Sequence, residues 1–171
     1  MTDKANIANR NIVLEIKDLY KSFGDNHVLN GFNMQLHQGE NLVIMGKSGS
    51  GKSVMIKCLV GLMEADSGSI TVMGNDITKL NQDALDILRA DIGFLFQGSA
   101  LYDSMTVREN LEFPLRRHTK KFGNNMDTEK LIMEALENVG LASAIDLMPV
   151  ELSGGMKRRI ALARTLILQP K

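Results

Sequence analysis

A single cysteine among 171 residues leaves no partner for an internal disulfide, and such thiol scarcity suits a reducing cytosol. Twenty basic and twenty acidic side chains cancel, so the chain lacks the one-sided field of a nucleic-acid or anionic-membrane binder. No apolar run approaches the roughly 20 residues that span a bilayer. The chain is therefore not itself a channel, and any transport role requires a separate membrane partner. Met1 to Arg10 has no apolar core and does not read as a signal peptide. His27, His37 and His118 have no metal-ligand spacing with cysteine or acidic residues. Neither a repeat nor a low-complexity segment is evident.

What is present fits a globular protein. Hydrophobic residues make up 44% of the chain, which is long enough for one domain with a sizeable core. The eleven methionines are scattered and read as core filler. Cys58 falls in an apolar stretch and reads as a buried, inert thiol. Arg116, Arg117, Lys120 and Lys121 read as a solvated helix end and loop.

Periodicity predicts strands at Ile12 to Ile16, Val28 to Leu36, Leu42 to Met45, Ser69 to Met73 and Ile92 to Phe96. Leu42 to Met45 and Ile92 to Phe96 have the character of buried strands. Helical spacing covers Leu80 to Arg89. Thr106 and Glu109 form a capping box, and Pro114 is expected to bend or end the helix that follows. Thr119 to Asn125 reads as a loop. Thr128 to Val139 carries an apolar face at Leu131, Ala135, Leu136 and Val139, with Gly140 as C-cap. Ser153 is a natural N-cap for a helix running towards Leu168.

Gly46 to Ser53 reads G-K-S-G-S-G-K-S, an instance of G-x-x-x-x-G-K-[ST]. Average residue usage predicts a chance match in roughly one chain in a hundred or fewer. The motif follows a predicted strand and opens a run able to form a helix, Val54 to Met63. Its glycines let the backbone curl so that amides point at phosphate oxygens. Lys52 reaches the outer phosphates, Ser53 offers a hydroxyl to Mg²⁺, and the helix N-terminus faces the anion. The predicted cofactors are ATP and Mg²⁺, bound by Gly46, Lys47, Ser48, Gly49, Ser50, Gly51, Lys52 and Ser53.

A second motif, Leu-Ser-Gly-Gly-Met at Leu152 to Met156, precedes Lys157, Arg158 and Arg159. With it the sequence resembles the ATP-binding-cassette (ABC) ATPase family from about Leu14 onward. The resemblance implies an α/β fold: a P-loop, RecA-like core with an N-terminal antiparallel β subdomain and an α-helical insert. On that reading residues 1–171 form a partial nucleotide-binding domain. Residues 11–97 are its β subdomain and P-loop core, 98–153 its helical subdomain and 154–171 its signature helix.

The resemblance also implies roles. Phe23, in K-S-F-G, matches the adenine-stacking position, with Tyr20 as rival. Gln97, in F-L-F-Q, matches a residue that binds Mg²⁺ or the attacking water. Lys52 and Gln97 are thus the expected catalytic residues, and Ser53 and Gln97 the metal ligands. Ser153, Gly154 and Gly155 are expected to grip ATP held by a second copy in a head-to-tail homodimer. Met156 departs from the family's usual glutamine, which narrows the subfamily.

In the family, Gln-Pro-Lys precedes a strand ending in Asp-Glu, then a loop with a histidine. The chain stops at Lys171, so the expectation is a fragment of a longer ATPase that hydrolyses almost no ATP alone, with the apolar strands Leu42 to Met45 and Ile92 to Phe96 left with unpaired edges and exposed faces. Phe96 to Arg116, with L-S-G-G-M-K-R-R, looks like the ATPase subunit of Mla/MCE-type phospholipid transporters. That implies a homodimer at the cytosolic face of the inner membrane, on an MlaE-like permease serving an MCE-domain protein. Leu101, Tyr102 and Met105 either line a groove for a permease helix or pack into the core. The rivals are an ABC ATPase for amino acids or ions, a cell-division-type ABC protein, a soluble ABC protein of translation or DNA repair, and a non-catalytic fragment that binds the permease alone.

Overall fold

Along strand β1 (Ile12–Phe23), buried residues fall at Leu14 and Ile16 and then at Leu19, a change of parity. Side chains alternate in a regular strand, so this change needs an extra residue. The structure supplies it as a bulge between Ile16 and Leu19, where Asp18 takes a φ of 46°. Asn33 holds Asp18 there: the Asp18 amide donates to Asn33 Oδ1 at 3.0 Å, and Asn33 Nδ2 donates to Asp18 Oδ1 at 3.0 Å. β1 therefore continues past Ile16, where periodicity alone ends it, to Phe23.

The computed structural model describes residues 11–96, 98–123 and 126–171, in two units divided after Leu85. The first unit contains β1, β2 (Asn26–His37), β3 (Ser67–Val72) and β4 (Asn75–Asp76). They form an antiparallel sheet of order β2-β1-β3-β4. Helix α1 (Lys52–Leu59) lies against β2 and buries Met55 and Cys58. It starts two residues before the predicted Val54 and stops well short of Met63. Gly61, with a φ of 67°, stands just beyond its end. Burial raises the pKa of Cys58, in keeping with an inert thiol. Helix α2 (Gln82–Asp91) spans the division between units.

The second unit is helical. It contains α3 (Val107–Arg117), α4 (Thr119–Phe122), α5 (Thr128–Asn138) and α6 (Gly154–Leu166). Its apolar core takes Val107, Leu111 and Leu115 from α3, Ile132 and Leu136 from α5, and Ile160 and Ala163 from α6. These are the i, i+3, i+4 spacings of facing helices. The capping box forms: Glu109 Oε2 accepts from the Thr106 amide at 2.7 Å, and Thr106 Oγ1 accepts from the Glu109 amide at 3.2 Å. On α5, Ile132 and Leu136 are the buried residues, and Leu131, Ala135 and Val139 pack against the core from its margin. Gly140 follows α5 with a φ of 66°, the left-handed conformation of a C-terminal cap.

Several expectations are corrected. Pro114 does not end α3, which continues to Arg117. An interior proline costs about 3 kcal/mol. Leu111 and Leu115 flank it with no exposed surface, and each burial returns roughly 1.5–3 kcal/mol, so packing prevails. The predicted loop from Thr119 contains α4 instead, whose Gly123 amide bonds to the Thr119 carbonyl at 3.1 Å.

Leu42 to Met45 and Ile92 to Phe96 are not strands. A strand persists only with ladder partners, and among the described residues neither segment has any. The exposure expected of apolar segments without neighbours is observed, with Val43 76% exposed and Met45 87%. Ile92 to Phe96 is irregular and lies against α6, where Thr165 Oγ1 donates to the Phe94 carbonyl at 3.3 Å.

Candidate functional site

The Gly46–Ser53 loop curls through two left-handed glycines, Gly49 (φ 79°) and Gly51 (φ 87°), into the first turn of α1. Gly51 must be glycine for two reasons. Its φ is unfavourable for an L side chain, and a Cβ would lie 2.9 Å from Val28 Cγ1 and 3.0 Å from the Val28 carbonyl. The loop is thus pressed directly onto β2. Gly46 is less confined, because a Cβ there would lie 2.6 Å from Ser50 Oγ, the end of an exposed side chain that can turn away.

Helix α1 begins without a side-chain cap and without an acidic residue in its first turn. The Met55 amide bonds to the Gly51 carbonyl at 2.9 Å, but the amides before it lie ahead of the intrahelical ladder. Such orphan donors, reinforced by the helix dipole, fit an anion. Lys52 supplies the cation. Its Nζ donates to the Gly46 carbonyl at 2.8 Å and the Lys47 carbonyl at 2.7 Å, and lies 3.3 Å from Ser50 Oγ. The Ser50 amide bonds to the Lys47 carbonyl at 3.2 Å. The ammonium therefore ties together the loop that it serves. Lys47, Ser48, Gly49, Ser50 and Ser53 are exposed, so the loop surface and the Ser53 hydroxyl are accessible.

Phe23 ends β1 and is 48% exposed, with Lys21 Nζ 5.6 Å from its ring centroid. Lys21 is in turn fixed by Asp66, at 2.7 Å. That ammonium, together with the Ser22 amide, holds the Asp66 carboxyl below its ordinary pKa. Tyr20, the rival, is 41% exposed and lies over Gly31, its hydroxyl 3.0 Å from where a Cβ on that glycine would stand.

In the second unit Ser153 caps α6, its Oγ accepting from the Met156 amide at 3.2 Å. A hydroxyl that accepts from the helix keeps its own hydrogen for another group. Leu152 is buried in the core and anchors the motif, whereas Ser153, Gly154 and Gly155 are exposed. A Cβ on Gly154 would meet nothing within 4 Å. The structure thus places Gly46–Ser53 and Phe23 in the first unit and Ser153–Gly155 in the second. Gln97 lies outside the described residues. Of the three groove candidates, Tyr102 is exposed, Met105 is half-buried and Leu101 packs against the core.

Two residues that sequence reasoning passed over also stand out. Asn110 has no exposed surface, and Arg164 is half-buried and bonded towards it. Asn110 could have been noticed, since it interrupts the apolar stripe Val107, Leu111, Leu115.

Comparison with known proteins places the chain in a family. Residues 29–171 match the family described as ABC transporter. The probable ribonucleotide transport ATP-binding protein mkl of Mycobacterium leprae is 41% identical over 160 residues, 94% of this chain and 46% of that protein. The chloroplastic protein trigalactosyldiacylglycerol 3 of Arabidopsis thaliana is 40% identical, over 91% of this chain and 44% of that protein. The methionine import ATP-binding protein MetN of Clostridium tetani is 40% identical, over 93% and 49%. The chain thus spans less than half the length of these curated relatives. Among solved structures, the ATP-binding cassette MJ0796, a dimer in a post-hydrolysis state bound to ADP and Pi, superposes with a TM-score of 0.82. It is 31% identical, over 92% of this chain and 70% of that one. The cbiO1 protein of Clostridium perfringens, part of the complex cbiONQ, gives 0.76 at 27% identity, over 94% and 63%.

Proposed function

This chain belongs to the ABC transporter family, and from that premise we propose that it is the ATP-binding part of a phospholipid transporter of the Mla/MCE type. The observation that carries nucleotide binding is the uncapped start of α1 beside the Lys52 ammonium. Loop amides and Lys52 hold the phosphates, Ser53 ligates Mg²⁺, and Phe23 stacks on adenine. Mg²⁺ held by Ser53 would supply positive charge beside the phosphates. Gln97 orients the metal or the attacking water. Ser153, Gly154 and Gly155 close the far side of a nucleotide held by a second copy.

Hydrolysis takes place at the face of a membrane permease. No described helix is long and apolar enough to cross a membrane, which leaves the crossing to that partner. The lipid assignment draws on the stretch Phe96 to Arg116 and on the likeness to the plant protein whose name carries a glycolipid. A second substrate has a specific claim, since the methionine importer is equally similar at 40% identity.

Mg-ATP titration of wild type and Lys52→Ala tests the nucleotide site, and equal affinities would refute it. Copurification with a permease and an MCE-domain protein, with turnover stimulated by phospholipid vesicles, supports the lipid reading. Stimulation by methionine with a permease alone overturns it.

A further inference from the structure

Strand β1 loses one of its two neighbours before it ends. Its ladder with β3 closes at the pair Tyr20 and Ser67, whereas pairing with β2 runs on to Phe23 and Asn26. Lys21, Ser22 and Phe23 are thus one arm of a two-stranded tip that turns at Gly24, where φ is 57°. A ribbon of two strands is marginal by itself.

Asp66 braces this tip. Its amide donates to the Tyr20 carbonyl at 2.9 Å, the last rung towards β3. Its carboxylate then serves where no third strand is left. Oδ2 accepts from the Ser22 amide at 2.6 Å, and Oδ1 accepts from Lys21 Nζ at 2.7 Å. On the β2 side, Ser22 Oγ lies 2.8 Å from His27 Nδ1. Lysines seldom leave water without a partner, yet the Lys21 side chain is only 17% exposed. The carboxylate folds it back, and its ammonium stands over the Phe23 ring, 5.6 Å from the centroid. One face of that exposed ring is covered by the cation, and the other is open to a flat ligand. As an ion pair near the surface, Lys21 and Asp66 add little to stability. Their larger consequence is where they hold the ring.

We propose that Lys21, held by Asp66, is a positioning residue for the nucleotide base. It covers one face of Phe23 and fixes the plane of the ring, so a purine stacks on the opposite face. The pair therefore serves recognition of the base and not of the phosphates. The proposal rests on the stacking role given to Phe23 above. A pair that only stabilised the hairpin would change affinity for nucleotide and bare polyphosphate alike, or for neither.

Titration of the protein with Mg-ATP and with Mg-tripolyphosphate, which has neither base nor sugar, separates these cases. A stacked base contributes about five- to 100-fold in affinity. Phe23→Leu should lose most of that for ATP and nothing for tripolyphosphate. Lys21→Met keeps the length of the side chain and removes its charge. It should weaken ATP about threefold, the size of an exposed cation–π contact, and leave tripolyphosphate unchanged. In a Phe23→Leu background it should change nothing further, because the ring it aims is gone. Asp66→Asn keeps an acceptor for the Ser22 amide but loses the anion, and should reproduce Lys21→Met. It carries the test alone should Lys21→Met fail to fold by circular dichroism. In either variant, unchanged ATP affinity, a loss shared by tripolyphosphate, or a loss that persists in the Phe23→Leu background overturns the proposal. Phe23→Leu without effect on ATP removes the stacking role itself, and the proposal falls with it. Failure of wild type to bind either ligand defeats the nucleotide reading as a whole.

Discussion

Lys52 Nζ donates to the carbonyl oxygen of Gly46 at 2.8 Å, so the cation of the loop is bonded to the loop's own first residue. The ammonium is therefore held within the loop and partly desolvated. Lys52→Ala removes both the point charge and this tie. A hydrogen bond involving a charged group contributes about 1.5–3 kcal/mol, so ATP affinity should fall roughly 10- to 100-fold. Calorimetric titration with Mg-ATP measures it.

Gly51→Ala should destabilise the first unit. A left-handed L residue costs roughly 1–2 kcal/mol and overpacking against Val28 about 1–3 kcal/mol more. For a chain of this size each kcal/mol lowers Tm by roughly 2–4 °C. A thermal melt within a degree of wild type would show that the loop lifts off β2 at little cost.

Ser153→Asp separates capping from anion binding. Aspartate caps as well as serine, so stability should stay within about 0.5 kcal/mol. Its negative charge faces the phosphates, so dimerisation driven by Mg-ATP should be lost. Light scattering with and without nucleotide reads the outcome, and an unimpaired dimer contradicts the role given to Ser153–Gly155.

How much of this could be seen in the residues alone depends on the range of the forces involved. The Thr106–Glu109 box and the Ser153 cap involve neighbours three apart and form as the sequence implies. The loop from Gly46 to Ser53 was recognisable because its glycines and lysine are contiguous. The carbonyl partners of Lys52 were not, since the motif specifies residue types and not the side chain's contacts. Leu42 to Met45 has the composition of a buried strand, but pairing is a property of two segments. Pro114 was misjudged because local propensity ignores what Leu111 and Leu115 gain in the core. Arg164 lay hidden for a similar reason: its partners are at positions 100 and 110.

Acid should weaken the second unit through Asp91. Lys121 first, and then Lys171, hold its carboxyl below the ordinary value, at 2.7 and 2.6 Å. The folded pKa is thus lower than the unfolded one, about 3.9. The contribution is complete above that unfolded value and is lost as pH falls through the folded pKa. Asp91→Asn should be less stable than wild type at neutral pH by up to about 1 kcal/mol. The two proteins should converge once pH has fallen through the folded pKa. Urea midpoints across that range test this, and a constant gap at every pH would assign the loss to something other than ionisation.

The bare stretch Leu42 to Met45 has a consequence for handling. Four consecutive apolar side chains, exposed and uncharged, are a template onto which an identical stretch from another molecule can add. Crowded solutions of this chain will drift toward β-rich clumps from that spot. A lysine placed at Val43, the most solvated of the branched residues there, acts as a gatekeeper against that drift.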